Sequence, residues 1–295
     1  MSGHALPRQN LRQIVVRRFE VQSWGAQGIA LRLRLEDHAE VLTDGAQKAR
    51  FFAGLDRDEG AAIEAAVTQL RGASVPARPV VAAHFGFRYL SAGALPRIPA
   101  IGSGRRNTLL LFHRDIAPLG WNLANGASGS AAELKDPLTL MRREAAEEIM
   151  AFDPDARRLL TLERSGCHDE LDLSATRWMQ RLELRESPAR FPGTTWGSGP
   201  DRLIVGEAVF DGLHLSIQAE DASIEIVRTL DIPWQPHWVP LDGELHGDAL
   251  LDRPIAFVDA ETGVAARAWR AGQEIAPPAE TRFCPVVEAT RHLSF

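Results

Sequence analysis

Cysteine is scarce in this chain of 295 residues: only Cys167 and Cys284 occur. Two thiols cannot build the disulfide framework of a secreted domain, so a reduced, cytoplasmic setting is the expectation. Cys167 is followed by His168, but the further ligands that a zinc site needs are missing around them. Long apolar runs are absent too. No stretch approaches the roughly 20 residues of a membrane span, and Met1 to Arg8 lack the apolar core of a signal peptide. There is no excess of positive charge either. Lys and Arg total 33 against 39 Asp and Glu, a formal charge of −6. That balance excludes a general nucleic-acid surface, which must neutralise phosphates, but it leaves room for a small anionic substrate. Neither a Walker loop nor a nucleophile elbow is present. What remains is an ordinary globular composition, 45% hydrophobic and 24% charged. The length suits one elaborated domain or two small ones.

Hydrophobic patterning divides the chain. Ile14-Val15-Val16 and the alternating run Ile29 to Leu35 read as two strands, with Gly25 and Gly28 flanking a turn. Gly60 to Leu70 favours a helix. Residues 1–76 thus form a ββα-like N-terminal extension or small subdomain, and Pro76 to Pro79 mark a boundary before the main domain, 77–295. Val80 to Leu90 is strand-like, with Gly86 as a candidate bulge. Ala92 to Arg106, rich in Gly, Pro and Ser, reads as a loop ahead of a strand at Leu109 to Phe112. Further on, Arg157 to Leu162 suggests a helical piece and Arg177 to Leu184 a strand. Leu203 to Phe210 and Ile224 to Val227 read as strands, while Ile255 to Val258 and Val264 to Trp269 suit a hairpin around a Gly-ended turn.

The densest chemistry lies in Arg143-Glu144-Ala145-Ala146-Glu147-Glu148-Ile149. Asp136 suits an N-cap and Pro137 the first helical position, where its missing N–H costs nothing. Leu138, Met141, Ala145 and Ile149 mark a buried stripe, and Asp153-Pro154 suggests the stop. Glu144, Glu147 and Glu148 flank that stripe at spacings of three and four, so they crowd one face. Like charges so placed repel unless a cation holds them, and a hard divalent metal is one candidate. Arg143, one turn before Glu147, can brace it. The plainer alternative is a solvated, charged helix face.

This segment resembles the signature of the Nudix hydrolases, in which a glycine loop leads into a helix bearing Arg-Glu-apolar-x-Glu-Glu. The helix half matches at Arg143, Glu144, Ala145, Glu147 and Glu148. Upstream, Leu109 to Asp115 matches the family's strand, and Gly120-Trp121-Asn122-Leu123-Ala124-Asn125-Gly126 matches its Trp-x-Leu-Pro-Gly-Gly, with Ala124 and Asn125 replacing Pro and the first Gly. Strict spacing puts the glycine at Gly129 and the loop glutamate at Lys135. Taking Gly126 instead keeps Trp121 and Leu123 in place and brings Glu133 near the glutamate position, in a loop three residues longer. Met150 stands where a glycine usually follows the Glu-Glu pair, which suggests a longer helix.

The resemblance implies an α/β fold, a Nudix-like α/β/α sandwich with a mixed sheet. It also implies hydrolysis of a pyrophosphate bond in a nucleoside diphosphate derivative, dependent on Mg2+ or Mn2+. Glu144, Glu147 and Glu148 would hold the metal, Glu144 would also help accept a proton, Arg143 would orient the glutamates, and Gly126 would approach the substrate's phosphates. The implied partner is a small nucleotide derivative, with no membrane and no general nucleic-acid binding. A ligand-binding or regulatory module without hydrolysis is the alternative, motivated by the divergent loop.

Other candidates read more simply. His168-Asp169-Glu170 suits a solvated loop and Glu207 a sheet face. His113 and Arg114 end a strand. Trp234, His237 and Trp238, set among Pro233, Pro236 and Pro240, suit a loop pinned to the core better than a base-stacking platform.

Overall fold

The computed structural model describes residues 13–25, 28–38, 81–82, 90–99, 107–114, 119–127, 133, 136–162, 177–197, 202–205, 208–217, 224–243, 245–246, 249–250 and 253–291. They form a sheet-rich α/β protein with few helices. The chain divides into two compact units, each assembled from three stretches: 1–92, 127–137 and 200–226 in one, and 93–126, 138–199 and 227–295 in the other.

The first unit carries a long hairpin of β1 (Gln13–Gly25) and β2 (Gly28–His38), closed with Gly25 opposite Gly28 as the sequence suggests. Register shifts interrupt the ladder between Val16 and Arg18 and between Val21 and Ser23, where an extra residue adds twist. β3 (Val81–Ala82) pairs with β1, β12 (Arg202–Val205) joins β2 in parallel, and β13 (Ala208–Asp211) folds back on β12. The single strand expected over Leu203 to Phe210 is therefore a pair of antiparallel strands. β14 (His214–Ile217) follows in the chain. The expected helix over Gly60 to Leu70, the Pro76 to Pro79 boundary and Gly86 lie outside the described residues.

The second unit is built on a sheet in the order β11-β15-β4-β5-β19-β20-β21. In chain order its members are β4 (Leu90–Arg97), β5 (Thr108–Arg114), β11 (Thr195–Trp196), β15 (Ile224–Asp231), β19 (Ile255–Asp259), β20 (Ala265–Arg270) and β21 (Gln273–Ile275). β6 (Gly120–Asn122) pairs with β5, and β7 (Ala124–Ala127) with β4. The β19–β20 hairpin is the one its turn suggested. Ala92 to Arg97, read from composition as loop, belongs to β4. Its small residues are fully buried between neighbours, so Ala and Gly here reflect tight packing rather than a turn.

A smaller mixed sheet runs β10-β9-β8-β16, from β8 (Ile149–Asp153), β9 (Arg158–Thr161), β10 (Ala189–Arg190) and β16 (Val239–Asp242). β17 (Leu245–His246) and β18 (Ala249–Leu250) make a short hairpin. Three helices occur among the described residues: α1 (Pro137–Glu148), α2 (Arg177–Arg181) and α3 (Pro285–Thr290).

Two expectations reverse here. Arg157 to Leu162 is strand β9 rather than helix, because Leu159 and Leu160 both find apolar surroundings, on opposite sides of the small sheet. Arg177 to Leu184 begins with helix α2 rather than a strand. Trp178 and Met179 of that helix pack on Met150, Leu159 and Leu241, so tertiary burial decides the local conformation.

Alternation along β5 and β19 sorts the core into two sides. Leu110, Phe112, Ile255 and Phe257 cluster with Ala145, Ala146 and Ile149, at the end of α1 and the start of β8. Leu109, Leu111, Ala256 and Val258 cluster instead with Val286 and Val287 of α3. Each fully buried large apolar side chain contributes about 1.5–3 kcal/mol. None of the helices among the described residues is long and apolar enough to cross a membrane.

Candidate functional site

α1 begins at Pro137, as its φ preference and missing donor suggest, but it stops at Glu148. The expected continuation past Met150 does not occur, and neither does a stop at Asp153-Pro154. Chain direction changes at once into β8, where Ile149 and Met150 are buried and pair with Asp242 and Leu241 of β16. The helix-to-strand switch puts Glu147 and Glu148 in the last helical turn. That is the negative end of the helix dipole, where carboxylates are disfavoured and cations favoured. No basic residue of α1 itself lies in that turn.

The carboxylates are held in a network rather than splayed into solvent. Glu144 and Glu148, one turn apart, are 8% and 3% exposed, which rules out the solvated-face reading for these two. Arg143 reaches both neighbours on its own helix, with Nη2 2.7 Å from Glu144 Oε1 and Nη1 3.0 Å from Glu147 Oε2. The backbone N–H of Asn125 donates to Glu148 Oε2 at 3.0 Å. Gly126 follows, and a Cβ added there would overlap the Glu144 carboxylate. Space rather than backbone conformation favours glycine here, since its φ is not in the left-handed region and the Glu144 carboxylate occupies the place of a Cβ.

On the far side, Arg253 completes the network. Its Nη2 donates to Glu148 Oε1 at 3.1 Å, while Nε and Nη2 form a two-pronged pair with Asp242 at 2.7 and 2.9 Å. The guanidinium lies 4.6 Å over the Phe112 ring, a cation–π arrangement that offsets part of its desolvation. Register explains why these distant residues meet. Asp242 pairs with Ile149, next to Glu148, and its carbonyl accepts from Trp178 Nε1 at 2.9 Å. Arg253 and Pro254 precede Ile255, which pairs with Phe112, and the Pro254 carbonyl accepts from His113 N. Gly243 N–H also donates to the Glu148 carbonyl at 2.9 Å, satisfying one of the orphan acceptors at the helix end.

The donor types suit a divalent metal. Among the described residues, however, three ligand atoms come within sharing distance of one ion only at Asp153, Asp155 and His237, so Glu144, Glu147 and Glu148 would have to move together to hold one. Every donor atom at issue is a carboxylate oxygen, the type that Mg2+ and Mn2+ prefer. Four carboxylates (Glu144, Glu147, Glu148, Asp242) meet two guanidiniums (Arg143, Arg253). Among the described residues, the amide oxygen of Asn122 is also buried without a hydrogen-bond partner, while its Nδ2 donates to Asn125 Oδ1 at 3.0 Å. A buried oxygen acceptor beside Asn125 of β7 suits a hard cation or a water.

The sequence-predicted residues Arg143, Glu144, Glu147, Glu148 and Gly126 come together in this one network. Glu133 belongs to the first unit. Lys135, Cys167, His168, Asp169, Glu170 and Glu207 lie outside the described residues. Arg253, Asp242 and the Asn125 amide escaped sequence reasoning. Arg253 lies 105 positions from Glu148, and nothing marks it in sequence beyond a basic residue ahead of Pro254 and a strand.

The remaining candidates have packing roles. His113 meets Trp121 edge-on, with centroids 5.3 Å apart. Trp234 and Trp238 are buried in a cluster with Phe191 and Phe257, which excludes a base-stacking surface. A second acidic group lies at the β8–β9 turn, where His237 Nε2 is 3.5 Å from Asp153 Oδ1 and 3.7 Å from Asp155 Oδ2. These ligand atoms are close enough to share a metal ion. The Asp153 carboxylate already accepts from the N–H groups of Asp155 and Ala156, an ordinary turn-capping task.

No family model and no curated protein matches the chain. Among solved structures it is similar to a MutT/nudix family protein from Enterococcus faecalis, with 13% identity over 81% of this chain and 70% of that one, at a TM-score of 0.26. A TM-score so low establishes no shared fold.

Proposed function

We propose that this protein is a Nudix-type, Mg2+- or Mn2+-dependent hydrolase of a pyrophosphate bond in a nucleoside diphosphate derivative. The reading includes a Nudix-like α/β/α arrangement for residues 77–295. One observation carries it: Glu144 and Glu148 of the Arg143-Glu144-x-x-Glu147-Glu148 helix are buried against Asn125 and Gly126 of strand β7. Glu147 and Glu148 would hold the metal, with Glu144 as a third ligand. When bound, a dication there supplies Lewis acidity toward phosphoryl oxygens and makes a bound water more acidic.

The chain's own groups do the rest. Glu144 accepts the proton of the attacking water on a carboxylate oxygen. Arg143 fixes the Glu144 and Glu147 carboxylates through separate N–H groups, a task suited to a planar guanidinium. The Gly126 N–H donates to a substrate phosphate oxygen, which side-chain-free backbone permits at close range.

A second reading, a binding or regulatory module without hydrolysis, is favoured by one specific observation. Both oxygens of Glu148 already accept hydrogen bonds, from Asn125 N–H and from Arg253. The discriminating experiment incubates purified protein with nucleotide sugars, dinucleotides and nucleoside triphosphates, with each metal, and identifies the phosphate-containing products. Hydrolysis that disappears in the Glu147→Gln, Glu148→Gln variant, with the fold retained by circular dichroism, supports the enzyme. Ligand-dependent thermal stabilisation without product supports the binding module.

A further inference from the structure

We propose that Arg253 is a resident counter-cation of the carboxylate site: it holds Glu148 and Asp242 in place and gives up Glu148 to an incoming divalent metal. The inference rests on the metal-binding reading above and deepens it. Of the two carboxylates at the C-terminal end of α1, Glu147 is paired with Arg143 of the same helix, whereas Glu148, in a turn where α1 carries no basic residue, meets Arg253 from outside it. Glu148 and Asp242 are 3% and 5% exposed, and leaving either buried without a cation is costly.

Arg253 meets both at once through Nε and Nη2, and it is anchored independently of Glu148. Its two-pronged contact is with Asp242, and Phe112 lies against the guanidinium face. The contact to Glu148 is a single one, at 3.1 Å, longer than either contact to Asp242. Geometry therefore makes the Glu148 contact the one that can be surrendered while Arg253 stays in place. Arg253 is thus a positioning residue, setting where the Glu148 carboxylate rests and how strongly a dication must compete for it.

The test measures Mn2+ affinity by calorimetry on the full chain, in wild type and in Arg253→Gln and Arg253→Lys. Gln keeps an N–H donor but removes the charge, so Mn2+ should bind about tenfold tighter or more, the scale of one screened unit charge acting on a dication a few ångströms away. Lys keeps the charge, so its affinity should stay within about threefold of wild type. A purely structural role for Arg253 would weaken binding in both variants, and equal or weaker binding in Arg253→Gln overturns the proposal. If neither wild type nor Arg253→Gln binds Mn2+, the metal reading itself fails and takes this one with it; binding at equal affinity sinks only the role of Arg253. Should Arg253→Gln not fold, Mg2+ titration of wild type decides, followed by the Nε–Hε NMR signal of Arg253 assigned with the Lys variant. A signal that moves as Mg2+ binds supports the exchange, and a signal unmoved at saturation contradicts it.

Discussion

Gly126→Ala separates stability from chemistry at this site. The new methyl group would overlap the Glu144 carboxylate, which is the far end of a flexible side chain rather than backbone. The carboxylate therefore retreats, by about 1 Å, until ordinary contact distance is restored. Retreat costs the Arg143–Glu144 ion pair, which is partly shielded from solvent and worth about 1 kcal/mol. Against that, replacing Gly by Ala where φ permits it stabilises by about 0.4–1 kcal/mol through the unfolded chain. The two nearly cancel, so the melting temperature should move by no more than about 2–4 °C. Turnover should respond far more strongly, because misplacing a reacting group by about 1 Å costs on the order of 100-fold.

The assay pairs thermal denaturation with turnover of whichever phosphate compound the substrate panel identifies. A double-mutant cycle supplies the check. In a Glu144→Ala background the methyl group meets no carboxylate, so Gly126→Ala should have almost no further effect on turnover. Full additivity of the two substitutions, or unaltered turnover in Gly126→Ala alone, would refute the reasoning.

Other expectations follow from neighbouring contacts. Gly243→Ala would press a methyl group on the Glu147 carbonyl, which cannot swing away as a side chain does, so denaturation should show a loss of about 1–3 kcal/mol. Trp234→Ala should cost about 3–5 kcal/mol in the same measurement while leaving Mn2+ affinity of the folded fraction unchanged, because the ring serves only the core. Glu280 gives a pH signature. Its carboxylate accepts hydrogen bonds from the Arg282 guanidinium and backbone, which hold its pKa down from 4.5 to about 2. A depressed carboxylate stabilises the fold above its unfolded pKa, and that contribution fades as pH falls from about 4.5 toward 2. Glu280→Gln should therefore melt below wild type at pH 6, with the gap closing as the pH is lowered through 4. A gap that stays constant with pH would show that the ion pair is not its source.

How much of this was legible beforehand follows the range of the interactions involved. Pro137, Met141 and Ala145 announce α1, because a helix-start proline and 3.6-residue periodicity are local signals. The expected stripe holds only there: Leu138 is half-buried and Ile149 belongs to β8. The β1–β2 and β19–β20 hairpins are likewise written in alternation and turn glycines. The end of α1 was not legible. Glu148 to Met150 could continue a helix on propensity, and it is pairing with Leu241 and Asp242 that pulls Ile149 and Met150 into a strand. β9 and α2 were misread for the same reason, since Leu159, Trp178 and Met179 take their conformation from one another across the small sheet.

The site divides along the same line. Arg143 and the three glutamates lie within one helix and could be grouped by spacing alone. Their spacing leaves open what cation holds them together, with a metal as one candidate. The structure adds Arg253, brought from 105 positions away by the β5–β19 register, and Asp242, brought by β8–β16. Long-range pairing of this kind leaves no trace in local pattern. The Gly126 match was found through the loop resemblance, yet the structure gives the residue a further reason to be glycine, the Glu144 carboxylate lying against it.

The most direct measurement is anomalous diffraction from crystals soaked in Mn2+. The account predicts a peak in coordination contact with the carboxylate oxygens of Glu147 and Glu148, beside Glu144. A site empty at saturating Mn2+, or a peak confined to Asp153, Asp155 and His237, would contradict it.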